Sequence, residues 1–302
     1  MSRPSERWIA TEEETLSAVL ARLGAHDALG EGRVFVAGRR ASDPEQLLSV
    51  GASVEVYAPR AGLGELEVLF EGDGLVFVAK PPGMATEPER RGASGALVSL
   101  AAERLGVAVE QVHALSRLDV GVSGVVLLGI DAEARRRVTE LRAQGQVKRR
   151  YVALSAGSPE PPQGTWNEPI GKSSKGARRQ LSPQGESAQT HYLVTGRAQG
   201  SPTPCALALE PTTGRTHQLR VHAAAHGAPL FGDRTYGGPG RLVSAGGEVD
   251  ALGRVLLHAA WVELGDMPRV TCPFPDDFTR PWQALGGDLA ALTRATLEPV
   301  LP

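Results

Sequence analysis

The sequence has few of the residues and runs that mark several large classes of protein. Only two cysteines occur among its 302 residues, Cys205 and Cys272, and they lie far apart with no metal-ligand spacing around them. Both are expected to be reduced thiols, which indicates a cytoplasmic protein. No apolar run approaches the ~20 residues that cross a bilayer, and the N-terminus has no apolar region typical of a secretory signal. No membrane association is expected.

Hydrophobic residues make up 41% of the chain and charged residues 22%, as in an ordinary globular protein. The net charge of −2 does not favour nucleic acid by itself, but a local basic face is enough to contact phosphates. Such a face is predicted on a helix from Ala132 to Ala143, N-capped by Asp131, and on the strand and Gly/Ser-rich loop that follow it. Its basic residues are Arg135, Arg136, Arg137, Arg142, Lys148, Arg149, Arg150, Lys172, Lys175, Arg178 and Arg179.

Residues 1–62 are predicted to form a small separate α/β unit. Leu16, Val19 and Leu20 fall at helical spacing, and two strands are predicted at 33–40 and 53–57. The segments 32–40 and 47–56 resemble the S4 RNA-binding module. The preceding segment lacks the basic helix that S4 modules lay on RNA. Two interpretations therefore stay open: the unit binds RNA, or it mainly packs on its neighbour. The larger domain is predicted to span 63–302.

One carboxylate in that domain lies where a polar turn meets a buried strand. Asp119 belongs to the segment SRLDVGVSG at 116–124, which runs into the apolar stretch 125–130. A loop-to-strand junction can present a side chain rigidly to a ligand. An aspartate can also bond the backbone of its own turn. The segment taken alone favours the turn residue.

A second junction follows the predicted strand at 205–209. The chain turns at 210–214, and residues 215–227 are predicted to form a helix capped by Thr216, which places Arg215 at its start. His222 and His226 are four residues apart, as zinc ligands on a helix are. No HExxH pattern or cysteine accompanies them, so histidines with ordinary hydrogen bonds are the preferred interpretation.

The sequence contains no P-loop, dinucleotide fingerprint, metal cluster or nucleophile elbow. Asp119, Tyr151 and Arg215 instead stand at three predicted strand ends. A carboxylate, an aromatic hydroxyl and a guanidinium suit chemistry without a cofactor, in which the carboxylate attacks or deprotonates. The cation would keep it ionised, and the ring would stack on a planar substrate.

An ordered series of motifs resembles the pseudouridine synthases of the RluA type. The family motif HRLDxxTSG appears here as SRLDVGVSG, and 76–84 is similar to the family's NKPxG strand. Further similar blocks follow in the family's order at 148–154, 188–192, 213–222, 232–237 and 257–259. The resemblance covers about residues 66–280. It implies an α+β fold with a mixed, mostly antiparallel central sheet, flanking helices and a catalytic cleft. It also implies conversion of uridine to pseudouridine in structured RNA (rRNA or tRNA) without a cofactor or metal.

The resemblance also implies residue roles. Asp119 would act at the ribose of the target uridine, by adding to the sugar or by removing a sugar proton, and these alternatives stay open. Arg215 would pair with Asp119 and lower its pKa, and Tyr151 would stack on the uracil. Arg117 would fill the gap left by the flipped uridine. The remaining predicted substrate-binding residues are Lys80, Arg149, Arg150, His217 and Gln218, and a monomer is expected.

Two positions beside Asp119 depart from the family motif. Ser116 replaces the usual histidine and Val122 the usual threonine, so the hydrogen bonding of this loop is expected to differ from the family's. The residues with chemical roles are retained, which favours an active enzyme. The alternatives are an RNA-binding protein or chaperone that has lost catalysis, and a cofactor-free hydrolase that uses Asp119.

Overall fold

The structure, a computed structural model, describes residues 6–30, 34–56, 66–88, 95–173 and 178–300. The chain divides into two compact units, residues 1–65 and 66–302. The predicted domain boundary after residue 62 lies outside the described residues, and so does Lys175 of the predicted basic loop.

The first unit combines a small antiparallel sheet with two short helices. Its elements are β1 (Glu6–Ile9), β2 (Glu14–Thr15), α1 (Leu16–Arg22), α2 (His26–Gly30), β3 (Val34–Val36), β4 (Arg39–Arg40), β5 (Leu47–Leu48) and β6 (Ser53–Val56). The sheet order is β1-β6-β3-β4, and β2 pairs with β5. Helix α1 forms where the apolar spacing predicts it, because its apolar stripe is buried with Val34 and Val54 in one cluster.

The second unit is built on one large sheet. Its strands are β7 (Val68–Gly72), β8 (Leu75–Lys80), β9 (His113–Ala114), β10 (Ser123–Gly129), β11 (Val147–Ser155), β12 (Gln163–Trp166), β13 (Ile170–Lys172), β14 (Arg179–Leu181), β15 (Thr190–Arg197), β16 (Cys205–Pro211), β17 (Arg241–Val243), β18 (Val249–Ala251), β19 (Leu257–Leu264) and β20 (Val270–Thr271). Its helices are α3 (Leu97–Leu105), α4 (Ala132–Ala143), α5 (Gln218–Ala225), α6 (Asp276–Ala284) and α7 (Leu289–Leu297).

Ten strands form the central sheet in the order β12-β15-β16-β11-β19-β10-β8-β7, with β20 beside β19 and β9 beside β10. Its described pairs are antiparallel except for β10 and β19, which run parallel. The mixed, mostly antiparallel sheet with flanking helices that the family resemblance implies is therefore confirmed.

Both faces of this sheet are covered. Along β16, Leu207 and Leu209 belong to one buried cluster and Ala206 and Ala208 to another, as the two-residue period of a strand requires. The first cluster includes residues of α3 and α4, and the second includes residues of α6 and α7. Strand β10 is buried along its whole length, which explains its continuous apolar sequence. The sheet therefore gives the loop before β10 a rigid support.

The predicted cap of α4 is confirmed, because the Asp131 carboxylate accepts a hydrogen bond from the Ala134 amide at 2.7 Å. The prediction for α5 is wrong at its start. Thr216 does not cap this helix, because the next residue, His217, has a left-handed backbone with φ of 58° and occupies the cap position itself. Helix α5 therefore begins at Gln218 and is shorter than predicted.

Candidate active site

Asp119 lies in the loop that leads into β10, and neighbouring segments hold that loop from several sides. The Val122 amide donates to the Asp119 carbonyl at 3.0 Å, which closes a turn. The Thr86 hydroxyl accepts from the Leu118 amide at 3.1 Å and donates to the Leu118 carbonyl at 3.0 Å. The Gly83 amide donates to the Val120 carbonyl at 2.6 Å. The backbone of Asp119 therefore lies in a turn, and its side chain is 30% exposed and accessible to a ligand. The two interpretations of the sequence are compatible.

The turn also requires a glycine where it enters β10. Gly124 has φ of +121°, and a Cβ at this position would lie 2.3 Å from the Ala259 carbonyl oxygen of β19. No residue with a side chain fits such an approach. The loop and the neighbouring strand are therefore in direct backbone contact.

The carboxylate of Asp119 is held by Arg220. The Nη1 atom of Arg220 donates to Oδ2 of Asp119 at 2.8 Å. The same guanidinium donates from Nε and Nη2 to the two oxygens of Asp233, at 2.7 and 2.8 Å. Burial lowers the pKa of Arg220, but the hydrogen bonds and charges of Asp233 and Asp119 outweigh it and raise that pKa above its ordinary value. Arg220 is therefore a permanent cation between two carboxylates.

The expected pair between Arg215 and Asp119 is wrong. Arg215 donates from Nη1 to Oε2 of Glu186 at 2.6 Å and from Nε to the Ser187 carbonyl at 2.8 Å. The error follows from the helix start, since Arg215 precedes the left-handed His217 and Arg220 lies in the first turn of α5. Arg220 takes the place that the sequence assigned to Arg215.

Tyr151 lies on β11 at a register shift between Arg150 and Tyr151. Burial raises the pKa of the Tyr151 hydroxyl, Asp119 raises it further, and Arg149 opposes that rise. The hydroxyl is thus protonated at neutral pH and close enough to Asp119 to sense its charge. Nε2 of His217 is 3.7 Å from Oδ2 of Asp119, so three of the predicted site residues, Asp119, Tyr151 and His217, do come together.

Three residues predicted to bind substrate have other contacts. Lys80 is buried, and its Nζ donates to the carbonyls of Pro81, Met84 and Val120 at 3.0, 2.8 and 3.5 Å. Burial lowers the pKa of Lys80 to about 8, although Asp119 opposes the shift. Since an ammonium has three N–H donors, these three carbonyls occupy all of them, and the bond to Val120 ties Lys80 to the Asp119 loop.

Gln218 and Arg150 are also occupied by the fold. The Gln218 amide bonds to Thr213, Arg215, Gln189 and Thr190 and is buried. Arg150 is buried too, and it donates to the Glu210 carboxylate and, at 2.6 Å, to the Ala295 carbonyl of α7. Both side chains therefore stabilise the fold, and neither has a donor directed at the site.

Arg149 and Arg117 keep the exposure that a substrate contact needs. Arg149 is half-buried and donates from Nη2 to the carbonyls of Pro211 and Thr213 at 3.3 and 2.9 Å. Its Nε is buried and has no hydrogen-bond partner among the described residues, so any substrate contact would come from the guanidinium end. Arg117 is exposed, and its Nη1 is 3.3 Å from the carboxylate of Glu87, which is also exposed.

The two departures from the family motif are accommodated locally. The Ser116 hydroxyl accepts a hydrogen bond from the Leu127 amide at 2.9 Å, and Val122 is buried in the core beside β10. The Asp119 loop takes its other hydrogen bonds from Thr86, Lys80 and Gly83, as described above. Neither substitution leaves an obvious break in the loop.

The histidines on α5 have ordinary hydrogen bonds, as predicted. His222 bonds to the Thr190 hydroxyl and the Glu168 carbonyl, each at 3.0 Å, and Nε2 of His226 is 3.1 Å from the Glu168 carboxylate. In the described part of the chain, no group of three or more His, Cys, Asp and Glu side chains could hold a metal ion. Within the same residues, no helix is long and apolar enough to cross a membrane.

Sequence reasoning missed three residues of the site, namely Arg220, Asp233 and Tyr236. Tyr236 is within hydrogen-bond distance of His217, with 2.8 Å between the hydroxyl and Nδ1. A signal was present, because Asp233 and Tyr236 both fall in the family block at 232–237 and Arg220 falls in the block at 213–222. Within those blocks, the sequence indicates roles only for Arg215, His217 and Gln218, which lie near the predicted helix start.

Together these side chains place a carboxylate held by Arg220 beside a protonated tyrosine hydroxyl and a histidine ring nitrogen. A model of the RNA pseudouridylate synthase family matches residues 74–225. The chain is 35% identical over 222 residues to the RNA pseudouridine synthase YhcT of Bacillus subtilis, covering 71% of this chain and 70% of that protein. It is 32% identical over 197 residues to the dual-specificity RNA pseudouridine synthase RluA of Escherichia coli, covering 64% and 84%. The chain belongs to the RNA pseudouridylate synthase family, whose enzymes are isomerases.

The comparison with solved structures gives the same fold. The human RNA pseudouridylate synthase domain-containing protein 1 matches with a TM-score of 0.59 and 23% identity, over 81% of this chain and all of that one. Domain-containing protein 4 of the same human series matches with a TM-score of 0.58 and 22% identity, over 73% of this chain and 93% of that one. The predicted pseudouridine synthase fold is confirmed.

Proposed function

We propose that Asp119 is the reacting group of this RNA pseudouridine synthase. The observation that carries the proposal is the asymmetric holding of its carboxylate. Oδ2 accepts from Arg220 at 2.8 Å, whereas Oδ1 has no hydrogen bond to any described residue. Arg220 holds the carboxylate by Oδ2, and the side chain is 30% exposed, so Oδ1 can contact a nucleotide.

The reaction breaks the bond between uracil N1 and ribose C1′ and forms one between C5 and C1′. The C5 proton is lost to solvent and N1 gains one, so no oxidant, reductant or cofactor is consumed. Asp119 acts at the ribose in either route, by adding to C1′ or by removing a proton from C2′. Tyr151 stacks on the freed uracil, and its raised pKa keeps a proton on the hydroxyl for transfer.

The target uridine must leave its stack to reach Asp119. Arg117 is the side chain that we propose fills the gap. Its ion pair with Glu87 joins two exposed groups and contributes little to stability, so RNA can replace it.

Two guanidinium groups near the site support contact with the RNA backbone. Arg149 bonds only to carbonyls, and Arg142 donates to the Leu115 carbonyl at 2.7 Å. Burial lowers the pKa of Arg142, and the charge of Arg149 lowers it further. In the described residues neither has a carboxylate partner, so a phosphate would relieve the repulsion between them.

The names of two relatives suggest the class of RNA. RluA of Escherichia coli is described as dual-specificity, and a relative from Nitrosomonas europaea, 34% identical over 229 residues, is described as acting on the large ribosomal subunit. We infer a structured rRNA or tRNA substrate for this chain. We further infer a cytoplasmic monomer in which residues 1–62 form an S4-like RNA-binding module. Light scattering tests the monomer, and RNA affinity with and without residues 1–62 tests the RNA-binding module.

The deciding experiment measures tritium release from RNA labelled at uracil C5. In vitro transcripts of bacterial tRNA and large-subunit rRNA serve as probes, and the variants are Asp119→Ala and Asp266→Ala. Asp266 is an exposed carboxylate in a turn and serves as the matched control. We expect release by the wild type and by Asp266→Ala, and none by Asp119→Ala.

Two outcomes would contradict the proposal. RNA binding without release in any of the three proteins would favour the RNA-binding or chaperone alternative. Free uracil as the product would favour the hydrolase.

A further inference from the structure

His217 has an unusual backbone beside the reacting carboxylate. Its φ is 58°, a left-handed conformation that side chains rarely adopt, and it occupies the cap position of α5. Such strain persists where the surrounding structure imposes it, and it is often found at functional sites. The conformation places Nε2 of His217 3.7 Å from Oδ2 of Asp119. This distance is too long for a hydrogen bond and short enough to close in a complex.

Tyr236 determines which nitrogen of His217 carries the proton. The Tyr236 hydroxyl accepts from the Arg179 amide at 3.0 Å and lies 2.8 Å from Nδ1 of His217. Tyr236 is buried, and among the described residues Nδ1 is the acceptor available to its hydroxyl hydrogen. Tyr236 therefore donates to Nδ1, and the neutral imidazole carries its proton on Nε2.

The surroundings also keep this ring neutral. Burial lowers the pKa of His217, the charges of Arg220 and Arg179 lower it further, and those of Asp119 and Asp233 oppose them. At neutral pH His217 thus presents one N–H, and that N–H points toward Asp119.

We propose that His217 is a positioning residue whose Nε2–H donates to Oδ2 of Asp119 in the RNA-bound enzyme. This inference rests on the proposed function. Oδ2 already accepts from Arg220, so a second donor on the same oxygen holds the carboxylate at one end and leaves Oδ1 to meet the ribose. Tyr236 acts through His217 by fixing its tautomer.

One short turn supports both donors. Asp233 precedes the 3₁₀ turn at Arg234–Tyr236 and Tyr236 ends it, and they bond to Arg220 and His217 respectively. The Tyr236 ring also packs on the Arg220 guanidinium, 5.1 Å from ring centroid to Cζ. The geometry of the two donors is therefore set by the same few residues.

The tautomer is tested without substrate by ¹⁵N NMR of the full-length protein labelled in its histidine rings. The His217 signals are assigned by their absence in His217→Asn. We expect a protonated Nε2 and an unprotonated Nδ1 in the wild type. In Tyr236→Phe, which lacks the hydroxyl, the two neutral tautomers should mix. A wild-type ring protonated on Nδ1 would overturn the proposal.

The catalytic contribution is tested by kinetics of tritium release from the same labelled transcripts. His217→Gly removes the donor and adopts positive φ freely, so it separates the side chain from the backbone. We expect kcat to fall about 30- to 100-fold with KM within about threefold, and Tyr236→Phe to lower kcat about fivefold. Tyr192→Phe is the matched control, because its buried hydroxyl bonds to the Pro161 carbonyl away from Asp119.

The control should keep the wild-type kcat. A His217→Gly enzyme within twofold of the wild-type kcat would overturn the positioning role. A wild-type enzyme that releases no tritium would overturn the proposed function and the catalytic role with it, while the nitrogen shifts would still decide the tautomer.

Discussion

Asp233 accepts two hydrogen bonds from Arg220, at 2.7 and 2.8 Å, and thereby fixes the guanidinium with its remaining edge toward the active-site loop. Both side chains are almost fully buried. A planar guanidinium held along its Nε–Nη2 edge can present Nη1 in only one direction. The position of the Asp119 carboxylate is therefore set by a residue that does not touch it.

Arg220→Met is expected to lower kcat by about 10³-fold, because Asp119 loses the hydrogen-bonded cation that orients it. Arg215→Met should change kcat by less than about fivefold, since Arg215 pairs with Glu186. Tritium release at saturating RNA distinguishes the two variants. Equal losses would restore the role that the sequence assigned to Arg215. Arg220→Met also leaves Asp233 buried without a partner, which destabilises the variant. The assay must therefore be run well below the variant's unfolding temperature.

Asp233→Asn keeps the shape of the side chain and removes its charge. We expect kcat to fall about 10- to 100-fold with little change in RNA affinity, because Arg220 loses the group that orients it. Asp277→Asn is the matched control, since Asp277 bonds to another buried arginine, Arg254, at 2.6 and 2.8 Å without facing Asp119. A kcat for Asp233→Asn equal to that of Asp277→Asn would show that the orientation of Arg220 does not depend on Asp233.

The pH dependence of stability should report Lys80. Its pKa is about 8 in the folded protein and near 10.5 when unfolded, so between these values the unfolded chain binds more protons. The free energy of unfolding therefore rises with pH in this window, by at most about 3 kcal/mol from this group. Urea denaturation of the wild type and Lys80→Met from pH 7 to 10.5 isolates the effect, because other groups cancel in the difference. A constant difference between the two proteins across this range would contradict the buried, shifted ammonium.

Substitutions of the adjacent residues Arg149 and Arg150 should affect different properties, RNA affinity for Arg149 and stability for Arg150. Arg149→Gln is expected to weaken RNA binding about five- to tenfold and to reduce the salt dependence of binding by about one unit of slope, as loss of one phosphate contact does. Arg150→Gln should leave RNA affinity unchanged but lower the free energy of unfolding by about 2 kcal/mol or more, because it breaks buried bonds to Glu210 and α7. Filter binding at several salt concentrations and urea denaturation measure both. A salt slope that changes in Arg150→Gln alone would reverse the assignment.

The sequence predicted most of the second unit because local patterns and packing agree there. The helix after Asp131 and the apolar strand after Gly124 form where capping and periodicity place them. The start of α5 was not predictable in this way. Threonine is a common N-cap residue, and no local sequence pattern indicates that His217 adopts a left-handed backbone.

The start of this helix decides which arginine contacts Asp119. A helix starting at Thr216 makes Arg215 the junction residue, whereas the actual start directs Arg220 at Asp119. The Asp233 and Tyr236 contacts are also long-range, since their partners lie on other elements. Pairings of this kind come from the tertiary structure, so the ordered family motifs could propose Asp119 and Tyr151 but not the residues that contact them.

The pairing of β10 with β19 has a consequence for how the protein is made. Ser123 and His258, neighbours in that pairing, are 135 positions apart, and the Ser123 hydroxyl lies 2.9 Å from Nδ1 of His258. On the ribosome, β10 and β11 therefore emerge long before the strand that separates them. Until residues 257–264 are released, the edges of β10 and β11 that pair with β19 stay unpaired and can associate with other nascent chains. A chain that stops short of β19 would lack the strand whose Ala259 backbone packs against Gly124, so the Asp119 loop would lose a close backbone contact where it enters β10.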